Sequence, residues 1–129
     1  MNYSRFIEQF DQVQSVAHDV NLKNGWWDQR LAVEWACGRV GIDHHPSLAI
    51  ELIGLMHTEL SEAVEAARKH PFETWSDHET KDTMVRELAG TIVRIMDMAE
   101  YFKLPLAKAI EAEIEANRKR GYMHGGKKA

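Results

Sequence analysis

The chain has 129 residues, of which 44% are hydrophobic and 28% charged, with a net charge of −4. That is enough for one globular domain with one core. No stretch approaches the ~20 apolar residues of a membrane span, and the single cysteine, Cys37, rules out an internal disulfide and a cysteine-based zinc site.

The first twelve residues carry acids early and lack an apolar run, so no signal peptide is predicted. With the lone cysteine, this points to a cytoplasmic protein. Residues 4–20 place Phe6, Ile7, Phe10, Val13, Val16, Ala17 and Val20 on one stripe, with Ser4 as N-cap, and predict a helix. Residues 21–46 look irregular. Asn24-Gly25 breaks the chain, Asp28 can cap a short helix, and Gly38 and Gly41 loosen it. Trp26 and Trp27 are adjacent and must point different ways. One can anchor the core while the other stacks on a base; Trp27 is carried as the stacking candidate.

A second long helix is predicted over 46–69, opened by Pro46 and stopped at His70-Pro71. Residues 71–78 read as a loop. A third helix is expected over 79–102 with the stripe Met84, Leu88, Ile92, Ile95, Met96, Ala99 and Phe102. A fourth is expected over 105–120 with Leu106, Ala109, Ile110 and Ile114 inward, ending at Gly121. No segment alternates with period two. The expected architecture is all-α: a four-helix bundle with an extra short helix, spanning 1–129 as one domain, with a basic and partly flexible tail over 121–129. The second and third helices show apolar residues on more than one side. This predicts association through these central helices into a homodimer or a tetramer.

The charge is unevenly placed. Arg118, Lys119, Arg120, Lys127 and Lys128 follow Asn117 with no acid among them, on an otherwise acidic body. Such a balance makes a poor nucleic-acid platform, but it suits capture of a small polyphosphate or docking on an acidic neighbour.

Glu59 and Glu62 stand three apart on the second long helix, and Glu59 falls within the face marked by Leu52, Met56, Leu60, Ala63 and Ala67. A charge removed from water costs several kcal/mol unless it is paired, and neighbouring acids raise each other's pKa unless a cation intervenes. Either a basic side chain or a metal ion is expected. The third helix adds an ordered polar stripe, Glu87, Gly90, Arg94 and Asp97, opposite its apolar one. The stripe can line a site. The plainer alternative is a solvated face with Arg94 bridging Asp97. On the fourth helix, Glu113 and Asn117 project from the inward side and need partners, either a substrate or a neighbouring helix. HExxH, ExxH, GxxxxGK[ST] and GxGxxG are all absent. His57 precedes the acid pair closely enough to support it, and His44-His45 reads as a loop pair.

The run His57-Thr-Glu-Leu-Ser-Glu-Ala-Val-Glu-Ala resembles the first motif of MazG-like nucleoside triphosphate pyrophosphohydrolases, all-α enzymes related to dimeric dUTPases. Their second motif, ExxD, aligns with Glu87-Leu-Ala-Gly90. The segment Asn117-Arg-Lys-Arg-Gly-Tyr-Met-His-Gly-Gly-Lys resembles their C-terminal signature. The likeness covers about residues 47–128 and rests on three motifs in order. It implies a Mg²⁺-dependent attack of water on the α-phosphate of a nucleoside triphosphate, giving the monophosphate and pyrophosphate, with Mn²⁺ as a substitute. It implies Glu59, Glu62 and Glu87 as metal ligands, Glu62 and Glu59 as catalytic groups, and Asn117, Arg120, Tyr122 and His124 as substrate contacts. Two departures stand out: Gly90 replaces the aspartate, and Glu113 stands where many relatives carry lysine. Asp97 shares the stripe and is the fourth candidate ligand, although seven residues put it ~10 Å along the helix from Gly90. These departures give a second expectation, a catalytically impaired relative that binds nucleotide or serves as a helical partner.

Overall fold

A computed structural model describes residues 1–122. Among them the secondary structure is entirely helical: α1 (Ser4–Lys23), α2 (Asp28–Arg39), α3 (Leu48–Lys69), a 3-10 turn (Phe72–Thr74), α4 (Met84–Tyr101) and α5 (Leu106–Arg120). α4 is the central element. It packs against α3 on one side and α1 on the other, and α5 lies along α1.

The short helix expected from Asp28 is present as α2, which continues through Gly38 to 12 residues and ends before Gly41 at φ +78°. Its buried residue is Glu34. α4 starts at Met84 rather than Glu79 because the preceding residues are used in a turn. The Asp77 carboxylate accepts from the amides of Glu79 and Thr80, each at 3.1 Å. Thr83 then donates to the Asp77 carbonyl and caps α4 by accepting from the Arg86 amide. Asp82, at φ +70°, makes the reversal between them.

One cluster of the core has Trp27, Leu48 and Leu52 buried, with Leu22, Trp26, Met98, Tyr101 and Phe102 packed around them, and Met56, Ala63, Ala66, Met96 and Ala99 are buried further along α3 and α4. Elsewhere the expected inward stripes are only partly buried: Met56, Ala63, Met96 and Ala99 point in, but other members do not. On α1, Val13, Val16 and Val20 are exposed, and the buried residue is Gln14. On α4, Leu88 and Ile92 are exposed while Thr91 and Asp97 are buried. Ile50, Ile53, Leu60 and Val64 extend the uncovered apolar surface onto α3. On α5 the buried residue is Ala107, and Ile114, Glu113 and Asn117 face outward. Within one chain, then, the expected stripes are split: Met96 and Ala99 of α4 are buried while Leu88 and Ile92 are exposed, and polar groups of α1 and α4 share the buried seams with them.

Candidate metal site

The polar stripe of α4 forms the seam with α3. Glu59 and Glu62 sit one turn apart on α3 and Glu87 opens the first turn of α4, so the antiparallel packing brings the three carboxylates together. One oxygen of each lies within 4.8 Å of the others. Glu87 is half-buried, and its pKa rises from the ordinary 4.5 to about 7. Burial is the largest cause, followed by the hydrogen bond and charge of Glu62, then the charges of Glu59 and Asp82. Glu87 therefore holds on to its proton more strongly than an ordinary glutamate.

Glu59 has a cation of its own. Arg94 Nε donates to Glu59 Oε1 at 2.7 Å, and the Arg94 guanidinium lies 4.5 Å above the Trp26 ring. Gly90 lets this happen. A Cβ at that position would stand 3.1 Å from Glu59 Oε2, so the Glu59 carboxylate rests against the bare α4 backbone. Arg94 therefore reaches across to α3 instead of bridging Asp97 along its own helix. Beside the triad opens a cavity of about 310 Å³, lined by Glu62, Glu65, Ala66, Lys69, His70, Asp82 and Glu87, with Lys69 paired to Glu65 at 3.3 Å.

The other candidates lie elsewhere. Asp97 does not join the triad. It is 3% exposed and its carboxylate accepts from His18 Nδ1 at 2.6 Å, Asn21 Nδ2 at 2.8 Å and Trp27 Nε1 at 2.9 Å. A carboxylate so fully partnered has no reason to recruit a metal. Trp27, the stacking candidate, is fully buried and stacks on Tyr101 at 4.5 Å, so no base can reach it. The accessible member of the pair is Trp26, held between Arg94 and Arg30. Asn117 and Arg120 are exposed on α5 and bond to each other at 3.1 Å, away from the cavity. Tyr122 is 90% exposed, and His124 lies outside the described residues. His57 is exposed.

A second buried acid, Glu34, has no spacing signal in the sequence. It accepts from His44 Nδ1 at 2.6 Å, Tyr101 Oη at 2.7 Å and the His45 amide at 2.6 Å. Burial pushes its carboxyl up, but the His45 amide, the Tyr101 hydroxyl and His44 together outweigh this and hold it below the ordinary value. Burial and the same bond raise the Tyr101 phenol. His44-His45 is thus a structural clasp: one residue offers its ring, the next its backbone.

An arrangement of three clustered carboxylate oxygens on two packed helices, short of positive charge, fits a hard divalent cation that also keeps waters or phosphate oxygens in its shell. No family model, curated protein or solved structure matches the chain.

Proposed function

We propose that the triad holds Mg²⁺, with Mn²⁺ as a substitute, and that the protein hydrolyses nucleoside triphosphates to the monophosphate and pyrophosphate in the manner of MazG-like enzymes. The observation that carries this is the charge imbalance of the triad: three carboxylates within 4.8 Å share one arginine, and one of them is driven to a pKa of about 7. The motif order in the sequence supplies the substrate class. When bound, the ion would polarise the α-phosphate and acidify an attacking water. Glu62, the exposed member of the triad, faces the cavity and takes the proton from that water. Arg94 fixes Glu59 so that its second oxygen stays in place. Lys69, which pairs with Glu65 at 3.3 Å, and His70 also line the cavity.

A pyrophosphate-release assay over the common and modified NTPs and dNTPs with Mg²⁺ tests the reading. Turnover of at least one, lost in Glu59→Gln, is expected. A wild type no faster than Glu59→Gln refutes hydrolysis.

Gly90 favours one alternative, a relative that binds nucleotide without turning it over or acts as a helical partner. Arg94 already satisfies half of Glu59, and no fourth carboxylate faces the triad from Gly90. Calorimetry with a non-hydrolysable NTP and Mg²⁺ separates binding from hydrolysis, and activity gained in Gly90→Asp would favour this alternative.

Association into a homodimer or tetramer accompanies either reading, because Val13, Val16 and Val20 of α1, Ile53, Leu60 and Val64 of α3 and Leu88 and Ile92 of α4 lie exposed in a single chain. Light scattering is expected to return at least twice the 14.8 kDa chain mass. No helix of the described residues is long and apolar enough to cross a membrane.

A further inference from the structure

Two glutamates of α3 each hold an arginine. Arg30 Nη2 donates to Glu51 at 2.9 Å, and Arg94 Nε donates to Glu59 Oε1 at 2.7 Å. Both guanidinium groups lie against the Trp26 ring, Arg30 at 4.9 Å and Arg94 at 4.5 Å from its centroid. The cation–π attraction gives Arg94 an anchor that does not depend on Glu59. The pair is also largely withdrawn from water, with the Glu59 side chain 18% and the Arg94 side chain 30% exposed, and separating it would leave a charge uncompensated. Arg94 is thus built into the triad's surroundings and stays there when an ion arrives.

This leaves the two oxygens of Glu59 in different surroundings. Oε1 carries the guanidinium. Oε2 rests against the α4 backbone, 3.1 Å from where a Cβ of residue 90 would stand. A carboxylate that bridges two ions gives one oxygen to each, and the ions of a two-metal site stand about 3.5–4 Å apart. Glu59 has one oxygen to give, because the other sits beside a positive charge that repels a cation. The charges agree with this. Three carboxylates and one guanidinium leave two negative charges once Glu87 is ionised, and one divalent cation neutralises them. The neighbouring acids supply no further oxygen to the cluster: Glu65 is paired with Lys69, and Asp82 adds negative charge at Glu87 without joining the triad.

We propose that Arg94 sets the ion number of the site: by holding Glu59 Oε1 it confines the triad to one divalent cation. Arg94 acts through Glu59, as a positioning residue. This rests on the metal reading of the triad, and adds to it a count and the residue that determines the count.

Titration of Mn²⁺ into the full chain at pH 8, above the Glu87 pKa of about 7, with free and bound ion counted by EPR, tests this without turnover. Wild type is expected to bind one Mn²⁺ per chain that Mg²⁺ can displace, with the spectrum of an isolated ion. Arg94→Met keeps an unbranched side chain to lie against Trp26 but frees Glu59 Oε1. It is expected to bind two displaceable Mn²⁺ per chain, with spin coupling between them, a signature that a loss of packing alone does not produce. Circular dichroism and urea unfolding establish that the variant is folded, and Arg94→Gln takes its place if it is not. Two coupled ions in wild type overturn the proposal and need no variant. A single ion in the folded, neutral variant overturns it as well. Either result leaves the triad standing as a metal site, whereas wild type that binds no displaceable ion refutes the metal reading and this count with it.

Discussion

Two acidic centres share helix α4, and they handle charge in opposite ways. At Asp97 one buried carboxylate meets three donors from α1 and the turn after it, His18, Asn21 and Trp27, and the Trp27 ring seals it from water. At the triad three carboxylates meet one arginine, beside an open cavity. The first arrangement has all it needs from the protein and fixes the helices in place. The second is short of positive charge, and so is suited to an ion that arrives from outside. Burial alone does not mark a functional acid; what distinguishes the two is whether the chain supplies the partners.

Removing the charge should therefore have opposite consequences at the two places. Asp97→Ala strands three donors, two of them on α1 and one on the fully buried Trp27. A loss of about 3–5 kcal/mol in urea unfolding is expected. Glu62→Gln takes away one of the mutually repelling charges, and its stability should stay within about 1 kcal/mol of wild type or rise. If the two substitutions destabilise equally, the contrast fails.

Ligand linkage comes next in size. Divalent cation should raise the melting temperature of wild type by an amount set by its saturation, about 2.7 kcal/mol at a hundredfold excess over Kd. Glu62→Gln should lose that gain while Asp97→Asn, if folded, retains it. Differential scanning fluorimetry across a Mg²⁺ series reads both.

Proton linkage sharpens the same contrast. The Glu87 pKa stands at about 7 in the folded protein against the ordinary 4.5. Between those values the native state keeps a proton that the unfolded chain has released. This contribution to stability is complete below about 4.5 and is lost as pH rises through about 7. Metal-free unfolding measured from pH 4.5 to 8 should show that decline, and Glu87→Gln should flatten it. Metal affinity should move the other way, strengthening as pH rises and Glu87 ionises.

The smallest expected effect is at Gly90. Gly90→Ala gains helix propensity of up to about 1 kcal/mol but places its Cβ 3.1 Å from Glu59 Oε2. The net change should stay within about 1 kcal/mol. Its informative readout is the Glu59–Arg94 pair, which the methyl group displaces.

The helices and the triad were legible in the sequence because both follow helical spacing. ExxE on one strong helix and Glu87 at the start of the next need only antiparallel packing to meet. What lay beyond reach depended on the third dimension. Arg94 had two acids within reach, Asp97 on its own helix and Glu59 across the seam, and spacing favours neither. Trp26 and Trp27 are one step apart, so a rotation of one residue decides which is buried. Glu34 holds α2 through a histidine and a backbone amide ten and eleven residues away, a pattern without any period. The apolar stripes of α1 and α4 are expected inward; in the single chain Met96 and Ala99 of α4 are buried, but Leu88, Ile92, Val13, Val16 and Val20 face out, because polar residues of the same helices take part of the seams with their neighbours.

The most direct measurement is calorimetric titration of Mn²⁺ or Mg²⁺ into the metal-free protein at pH 6 and pH 8, with Glu62→Gln alongside. The account predicts saturable binding accompanied by proton release, tighter at pH 8 and abolished by the substitution. No binding at millimolar ion, or identical isotherms for wild type and Glu62→Gln, would contradict it.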